Sequence, residues 1–489
     1  MPRRKMRVTD EDRAPLQRAL RELRERTHAP TGFPADVRAE ADRAARRRPR
    51  VPVYDATALP LFTVDPPGAK DLDQAMHLAR RGKGGGYRLH YAIADVAAFV
   101  APGGALDAEA HRRAVTVYYP DTRVPLHPAA LSENAASLLP DHDRPALLWE
   151  FDLDADGSVV RTDLRRALVR SRARLDYAGV QRALDTGTAD EPLVLLRETG
   201  LLRQELERRR GGVSLDVPEQ EIVRQDGRYV LEYRTPAPAE GWNAQISLLT
   251  GMAAAELMLT AGTGVLRTLP AAPGGAVAAL RRVARALGVN WPDDMSYAVV
   301  LRALDPGHPQ HAAFLQECTT LLRGAGYTVF DRERPAERPP PADPVHAAVA
   351  APYAHCTAPL RRLVDRYTLE LCLAAVTGAA PPEWVRTALD ALPAEMATGT
   401  RRAAEAERES VDLVEAALLR DRIGEVFDAY VVDVVASRPT AGTVHLYEPA
   451  VVGHVEGDGD GPPLPLGHRL RVRLIEANPG RDKVWFAPA

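Results

Sequence analysis

Hydrophobic and polar positions follow three successive patterns along the chain of 489 residues. Near the amino terminus, Leu16, Leu20 and Leu23 follow helical spacing, and a break at residues 29–32 separates them from a second predicted helix at residues 34–47. The second helix ends in a run of arginines. This part of the chain therefore predicts a small basic module that resembles a helix-turn-helix.

The middle of the chain mixes short apolar runs with long helical stretches, which is typical of an α+β domain. The first apolar run ends at Asp65, because Pro66, Pro67 and Gly68 force a turn there. We expect strands near residue 61 and at residues 87–94, 146–153 and 159–168, and helices at residues 192–210, 246–263 and 277–287.

The last part of the chain, from about residue 424, has a third pattern. It contains the short apolar runs YVVDVV, GTVHLY, AVVGHVE, HRLRVRLIEA and KVWFA, which Pro and Gly turns separate. Five strands of this size fit a small OB-fold barrel. A generic β-domain is the alternative.

Composition narrows the class of protein. The apolar fraction of 45% is that of a soluble globular protein, and the net charge of −3 means that any basic surface is local. The three cysteines lack C-x-x-C spacing, so we expect reduced thiols in a cytoplasmic protein, with no disulfide and no zinc. Because no apolar run reaches about eighteen residues, we expect neither a membrane span nor a secretory signal.

Three aspartates in the segment LFTVDPPGAKDLDQAM carry the clearest chemical signal: Asp65, Asp71 and Asp73. An isolated D-x-D is more often a solvated turn than a ligand pair. In an extended stretch, however, Asp71 and Asp73 project to the same face. Carboxylates held this close repel one another unless a cation neutralises them. Oxygen ligands favour Mg²⁺ or Mn²⁺, so we expect a metal site for phosphoryl chemistry.

Two further regions accompany the aspartates in a fixed order. YRLHYAIADVAAFV, TVYYPDTRVP and LSENAASLLP follow directly downstream, and YAHCTAPLRRLVDRYTLE lies far along the chain. Together these segments resemble the catalytic domain of the ribonuclease II family, also called RNB exoribonucleases. The family pattern is an aspartate, D-x-D-D six positions on, an I-A-D strand, a Y-x-P turn with V-P and L-S following, and T-S-P-x-R-R. The resemblance spans roughly residues 61–430.

The resemblance implies a metal centre at Asp65, Asp71, Asp73 and Gln74, occupied by Mg²⁺ or Mn²⁺. The first three match family aspartates, and Asp73 corresponds to the one that catalysis can least do without. Gln74 stands where the family has its fourth aspartate. An amide oxygen can bind a hard cation but brings no charge, so this departure weakens the predicted site.

The resemblance also implies two further catalytic residues. Arg361 corresponds to the family arginine that grips the scissile phosphate, a task that suits the planar guanidinium. Because Pro359 delays the helix, Arg361 and Arg362 should lie in its first turn or just before it. Glu407 aligns with a family glutamate near the leaving nucleotide, and Glu405 competes for this role.

An RNA-binding surface follows from the same resemblance, with Tyr118, Tyr177, Tyr353, Arg361 and Arg362 as its members. Tyr118 matches the tyrosine that stacks near the 3′ end, with Tyr119 as a weaker candidate, and Tyr177 matches a second tyrosine farther up the strand. Stacking on an aromatic face tolerates any base. Either tyrosine could instead belong to the core.

Two departures from the family stand out. Leu249 and Thr250 replace acidic residues that help to hold the terminal nucleotide. The family usually begins with cold-shock barrels, and the residues before Leu61 leave no room for them. The basic run at residues 46–50 either contacts RNA phosphates or belongs to a solvated hairpin packed on the main domain.

These observations predict an α+β protein in three parts. Residues 1–54 form the basic helical module, residues 55–422 the mixed α/β RNB catalytic domain, and residues 423–489 an S1-like OB-fold barrel that binds RNA. The predicted function is that of a monomeric, metal-dependent, processive 3′ to 5′ exoribonuclease that releases 5′-mononucleotides from single-stranded RNA and enters duplexes with a 3′ overhang. The alternative is a catalytically weakened RNB-like regulator that binds RNA.

Overall fold

A computed structural model describes most of the chain: residues 13–30, 32–47, 54–82, 85–213, 219–225, 228–234, 236–305, 308–318, 321, 324–446, 449, 451–478 and 484–489. In chain order, the helices are α1 (Arg13–Arg26), α2 (Ala35–Arg46), α3 (Ala105–Arg113), α4 (Tyr177–Asp185), α5 (Glu191–Arg210), α6 (Pro238–Ala261), α7 (Gly274–Ala286), α8 (Tyr297–Arg302), α9 (Pro309–Cys318), α10 (Leu363–Thr377), α11 (Glu383–Ala388) and α12 (Leu392–Leu419).

The strands of the catalytic region and its hairpins are β1 (Tyr54–Asp55), β2 (Leu61–Asp65), β3 (Gln74–Arg80), β4 (Tyr87–Ala94), β5 (Val117–Tyr118), β6 (Arg123–Val124), β7 (Asp143–Leu153), β8 (Val159–Asp176), β9 (Glu219–Gln225), β10 (Arg228–Arg234), β11 (Thr263–Thr268), β12 (Gly326–Asp331), β13 (Val345–His346) and β14 (Ala351–Pro352). The barrel strands are β15 (Val426–Val434), β16 (Ala441–Leu446), β17 (Val452–Glu456), β18 (Arg469–Glu476) and β19 (Trp485–Pro488).

The main sheet has the strand order β1-β8-β2-β3-β4-β7, and β7 also pairs with β8. The strand β8 is long enough to do both, because its first part pairs with β7 and its last part runs parallel to β2. The predicted strands are confirmed, although β8 extends beyond residue 168. Its extension brings the end of β8 beside Asp65 at the end of β2.

The two amino-terminal helices pack at different places on the rest of the chain. Leu16, Leu20 and Leu23 of α1 are fully buried in the main core, and α1 packs against α12. Val37 and Ala41 of α2 are buried in a second core and pack near α3. Both helices therefore form part of the hydrophobic structure, and their role as an RNA-binding module stays a prediction.

The helix α6 crosses the main core between α5 and α10. Among the described residues, α6 is the one helix whose length and apolar composition would allow it to cross a membrane. Its residues Trp242, Ile246 and Met258 are buried in the core, which accounts for the apolar composition. The three cysteines are free and buried, Cys318 beside the helices α7 to α9 and the other two in the main core.

The carboxyl-terminal strands form a closed barrel of order β15-β16-β17-β19-β18, as the sequence predicts. Every second side chain of a barrel strand points inward. The interior is filled by apolar residues, among them Phe427, Val444, Val455, Val472 and Phe486. The barrel residues belong to the same hydrophobic core as the main sheet.

Candidate active site

The aspartate segment is a loop that links the end of β2 to the start of β3. Gly68 adopts a left-handed φ of 84°, and the N–H of Ala69 donates to the carbonyl of Pro66, which closes the predicted turn. The buried hydroxyl of Ser137 then holds the loop: it accepts from the N–H of Leu72 at 3.0 Å and donates to the carbonyl of Lys70 at 2.7 Å. The loop is therefore fixed before it reaches Asp73.

Asp73 joins this loop to the distant arginine segment. Its side chain is 1% exposed, Oδ1 accepts from the N–H of Leu360 at 2.8 Å, and Oδ2 accepts from Nε of Arg361 at 2.7 Å. Burial raises the pKa of Asp73 to about 6. Burial alone would lower the pKa of Arg361, but the Asp73 carboxylate outweighs it and raises that pKa. The pair is ionised at neutral pH.

The guanidinium of Arg361 remains accessible on its other side. The Arg361 side chain is 40% exposed, and only its Nε donates to a protein group within the described residues. Asp73 therefore fixes one edge of the guanidinium and leaves the two Nη groups for an anion in the adjoining space. This arrangement suits a bidentate contact with a phosphate.

Asp65 lies at the end of β2 with one oxygen unused. Its Oδ2 is buried and has no hydrogen-bond partner among the described residues. Burial raises the pKa of Asp65 to about 6, although the charge of Arg361 opposes this and that of Asp71 adds to it. Asp71 accepts from Nη1 of Arg123 at 2.7 Å, and Nη2 of Arg123 also contacts Glu133 at 2.7 Å.

The structure differs from the predicted cluster of three aspartates. Within the part of the chain that the structure describes, no group of three or more His, Cys, Asp or Glu side chains is placed to hold a metal ion. Both oxygens of Asp73 accept hydrogen bonds from protein donors, and its role as a metal ligand stays a prediction. Asp65, with its unpaired buried oxygen, and Asp71, whose charge acts on Asp65, are the two carboxylates that would hold an ion. Mg²⁺ is commonly held by one or two carboxylates, water and substrate phosphate.

Gln74 makes a contact that an aspartate could not make. Its Nε2 donates to the carbonyl of Thr357, which lies in the arginine segment. The side chain at this position therefore links the two halves of the site through a donor. Its role as a metal ligand stays a prediction.

Arg362 has a different partner from the one that the sequence predicts. Its Nε and Nη2 donate to the two oxygens of Asp365 at 2.9 and 2.7 Å, and Asp365 Oδ1 also accepts from the N–H of Ala358. Both arginines precede α10, as expected, but the structure places Arg362 in a bidentate pair within the protein. This pair shapes the turn before Arg361, and the contact of Arg362 with RNA stays a prediction.

The two neighbouring tyrosines have opposite environments. Tyr118 is 50% exposed, and the charges of Arg361, Asp71 and Asp73 act on its hydroxyl. Tyr119 is 7% exposed and its hydroxyl lies 2.8 Å from that of Thr27, directly after α1. The open ring beside the site is thus Tyr118.

Tyr177 reaches the site through strand register. Asp65 pairs with Asp176 at the parallel ends of β2 and β8, and the Asp176 side chain caps α4, which begins at Tyr177. Its hydroxyl accepts from Nδ2 of Asn243 at 3.2 Å. Burial and, after it, the charge of Asp65 raise the pKa of Tyr177 to about 12.

Tyr353 is partly buried and packs among aromatic rings. It makes edge contacts with His346 and His355 at centroid distances of 5.8 and 5.6 Å. A Cβ at Gly251 would lie 2.2 Å from its ring, so α6 needs a glycine there. These contacts explain the position of the ring, and its contact with RNA stays a prediction.

The two candidate glutamates of α12 also differ. Glu407 is exposed, whereas Glu405 is partly buried and its charge acts on Tyr119. Leu249 and Thr250 are buried in α6, and the Thr250 hydroxyl donates to the carbonyl of Ile246. The acidic residues that the family carries in this helix have no counterpart at these two positions.

Several residues of the site escape sequence reasoning. Arg123 could have been noticed, because it lies in the same segment as Tyr118. The N–H of Leu360, the hydroxyl of Ser137 and the amide of Asn243 carry no comparable signal. Their contacts depend on which segments the fold brings together.

Comparison with known proteins agrees with this architecture. Residues 53–378 match the RNB domain, and residues 425–489 match the RNase II-type exonuclease C-terminal S1 domain. Ribonuclease R of Escherichia coli (strain K12) is 28% identical over 476 residues, which cover 88% of this chain and 57% of that protein. The exosome complex exonuclease RRP44 of Homo sapiens is 28% identical over 345 residues, which cover 66% of this chain and 34% of that protein. The chain thus spans less than two thirds of the length of these relatives.

Solved structures share the fold. Mycoplasma genitalium RNase R in complex with ribose methylated single-stranded RNA matches with a TM-score of 0.83 and 19% identity, over 97% of this chain and 78% of that one. The yeast pseudonuclease Ssd1 matches with a TM-score of 0.68 and 18% identity, over 90% of this chain and 53% of that one. Because the RNB match covers most of the chain and the S1 match follows it, the chain belongs to the ribonuclease II (RNB) family.

Proposed function

We propose that this protein is a metal-dependent, processive 3′ to 5′ exoribonuclease that hydrolyses RNA to 5′-mononucleotides. The observation that carries the proposal is the pair of the buried Asp73 and Arg361, which leaves the Nη groups of Arg361 unused while the charge of Arg361 acts on Asp65. A cation-binding carboxylate and a phosphate-binding arginine at one place suit phosphodiester hydrolysis. The relatives named ribonuclease R give the class of reaction.

The side chains of the site have separate roles in RNA binding and catalysis. Tyr118 stacks on a base at the 3′ end, with its exposed ring, and Tyr177 limits the space farther along. Arg361 holds the scissile phosphate and stabilises the charge that develops on it, while Asp73 keeps the guanidinium in place. Asp65 and Asp71 would hold Mg²⁺ or Mn²⁺, which supplies a Lewis acid and acidifies bound water.

A 5′-labelled single-stranded RNA tests this proposal directly. Incubation with Mg²⁺ or Mn²⁺ should shorten the labelled strand step by step from the 3′ end, and an excess of unlabelled RNA added after the start should leave the reaction of bound molecules unchanged. Release of the product as 5′-mononucleotides can be followed on internally labelled RNA. Cleavage at internal positions only, or no cleavage with either metal, would contradict the proposal.

A second function is an RNA-binding regulator without catalysis. Two observations favour it: Gln74 replaces a family aspartate and is tied to Thr357, and the described residues lack a three-carboxylate cluster. A structural neighbour is itself a pseudonuclease. The regulator would bind the labelled RNA through the same tyrosine and arginine side chains, but the RNA would keep its length with both metals.

We also propose that the substrates include duplex RNA with a 3′ overhang. Arg43, Arg46 and Arg47 are exposed at the end of α2, where they could contact phosphates without reading bases. Arg48 and Arg50, which complete the predicted basic run, lie outside the described residues. Mycoplasma genitalium RNase R, with the same fold, has been solved in complex with double-stranded RNA.

A further inference from the structure

A cavity of about 850 Å³ lies on the side of α6 that faces away from the candidate active site. On α6, Asn243 and Ser247 point to Tyr177 and Tyr91, whereas Met252 and Glu256 line the cavity on another face. The cavity is lined by Ser158, Val159, Thr162, Arg203, Leu206, Arg209, Arg210, Leu249, Met252, Ala253, Glu256, Leu257, Ala351 and Pro352. Its volume is within the range of small-molecule sites.

Two arginines of α5 give this cavity unused hydrogen-bond donors. Arg203 is 6% exposed; its Nη1 donates to the carbonyl of Gly157 at 3.1 Å, but its buried Nε has no partner among the described residues. Arg210 donates from Nε to the carbonyl of Val349 at 2.8 Å, and its buried Nη2 likewise has no partner there. Buried donors without an acceptor are costly, so each favours an acceptor from outside.

The charges around these donors also favour an anion. Burial lowers the pKa of Arg203 to about 10, and the positive charge of Arg210 lowers it further, while Glu207 opposes both effects. The Glu207 carboxylate is already engaged, because its Oε2 accepts from Nε2 of Gln245. A ligand with a negative group between Arg203 and Arg210 would relieve their repulsion and accept from both.

Apart from Ser158, Thr162, Arg209 and Glu256, the rest of the wall is aliphatic or proline. Leu206, Leu249, Met252, Ala253 and Leu257 contribute side chains to it, and no aromatic residue is among the lining residues described. A nucleobase would gain little here, because it is usually held by stacking on an aromatic ring. A flexible alkyl group fills such a wall well.

We propose that this cavity binds a small amphipathic anion, whose carboxylate or phosphate lies between Arg203 and Arg210 and whose aliphatic body lies along α6. The site is separate from the phosphate contact at Arg361 and does not depend on the proposed nuclease activity. Both head groups share the chemistry that the arginines recognise, and the choice of probes distinguishes them.

The test is calorimetric titration of the full chain with decanoate and with decyl phosphate, each below its micelle concentration. Saturable binding of one molecule per chain is expected for at least one of them, and the tighter ligand identifies the head group. Arg210→Gln removes one donor and should weaken binding about ten-fold or more. Ala253→Trp fills the cavity without changing charge and should weaken binding by at least as much.

The matched control is Arg208→Gln, on the same helix but exposed and paired with Glu205 outside the cavity. It removes the same charge and should leave binding within about two-fold. Melting temperature and far-ultraviolet circular dichroism show whether each variant is folded. If Arg210→Gln does not fold, the result for Ala253→Trp decides the outcome. Absence of saturable binding, wild-type affinity in both cavity variants, or tighter binding of inorganic phosphate or 5′-AMP would overturn the proposal.

Discussion

The hydroxyl groups of Thr27, directly after α1, and Tyr119, directly after β5, lie 2.8 Å apart in a buried contact. Arg24 of α1 reinforces this contact with a bidentate pair to Asp121 at 2.7 and 2.9 Å. The amino-terminal segment therefore holds Tyr119 and the turn that follows it. Removal of residues 1–50 would expose the core that α1 covers, so single substitutions are the better probes of this region.

Replacement of each tyrosine should separate RNA binding from folding. Tyr118→Ala removes an exposed ring and should weaken RNA binding by roughly 1–3 kcal/mol or lengthen the final product, with little change in melting temperature. Tyr119→Phe removes the buried hydrogen bond to Thr27, whose hydroxyl still donates to the carbonyl of Leu23, and should lower stability by about 1 kcal/mol. Filter binding, product length and thermal melting measure the three effects. A large loss of stability in Tyr118→Ala with normal products would place that ring in the core.

Asp73→Asn should strongly slow turnover and leave RNA binding nearly unchanged. The asparagine keeps the size of the side chain but removes the charge that pairs with Arg361, so the guanidinium loses its position. We expect single-turnover rates to fall by about 100-fold or more, while RNA affinity stays within a few-fold. Asp421→Asn, at an exposed position, is the matched control. Near wild-type turnover in Asp73→Asn would exclude a catalytic role for the pair.

Gln74→Asp should strengthen metal binding at the expense of a hydrogen bond. The new carboxylate adds charge to the site, so half-maximal activity should require less Mg²⁺. It cannot donate to Thr357, so stability should fall by about 1 kcal/mol. Gln74→Asn, which shortens the side chain without adding charge, is the control for the metal effect. An unchanged Mg²⁺ titration for Gln74→Asp would remove Gln74 from the metal site.

The buried carboxyl of Asp65 predicts a specific dependence on pH. Burial raises its pKa from 3.8 to about 6, so the folded state binds the proton more tightly than the unfolded state. This contribution to stability is complete below about pH 4 and is lost as pH rises through about 6. Activity has the opposite dependence, because the ionised form is needed to hold the cation, and should fall below about pH 6.

Metal-free melting curves between pH 4 and 7 check the stability part. The wild type should gain melting temperature relative to Asp65→Asn as pH falls, whereas Asp421→Asn should follow the wild type at each pH. A constant difference between wild type and Asp65→Asn would contradict the assigned shift.

Duplex digestion should depend on the basic end of α2. The double substitution of Arg46→Ser and Arg47→Ser removes two exposed charges and should slow entry into a 3′-overhang stem more than digestion of a single strand. The difference should shrink as salt rises. Arg209→Ser with Arg208→Ser, an exposed pair elsewhere, is the control. A wild-type stall several nucleotides before the stem would refute duplex entry itself.

The sequence by itself determined the elements and the kind of site. Spacing of apolar residues predicts α2 within one residue at each end, and the strand β4 and the five barrel strands where they occur. Turn residues predict the bend after Asp65, and Pro359 predicts that the two arginines lie in the first turn of α10 or just before it. These features are local, because periodicity and turn chemistry act over a few residues.

Only the tertiary structure decided which partner each charge has. Asp73 meets Leu360 and Arg361, which lie almost three hundred positions away, and the spacing of the aspartates does not indicate this contact. Arg362 turns to Asp365, although both arginines belong to one motif. A sequence pattern records which residues are buried or charged, but a contact between distant segments depends on strand order and register. These bring β2, β8 and the segment before α10 to the same place.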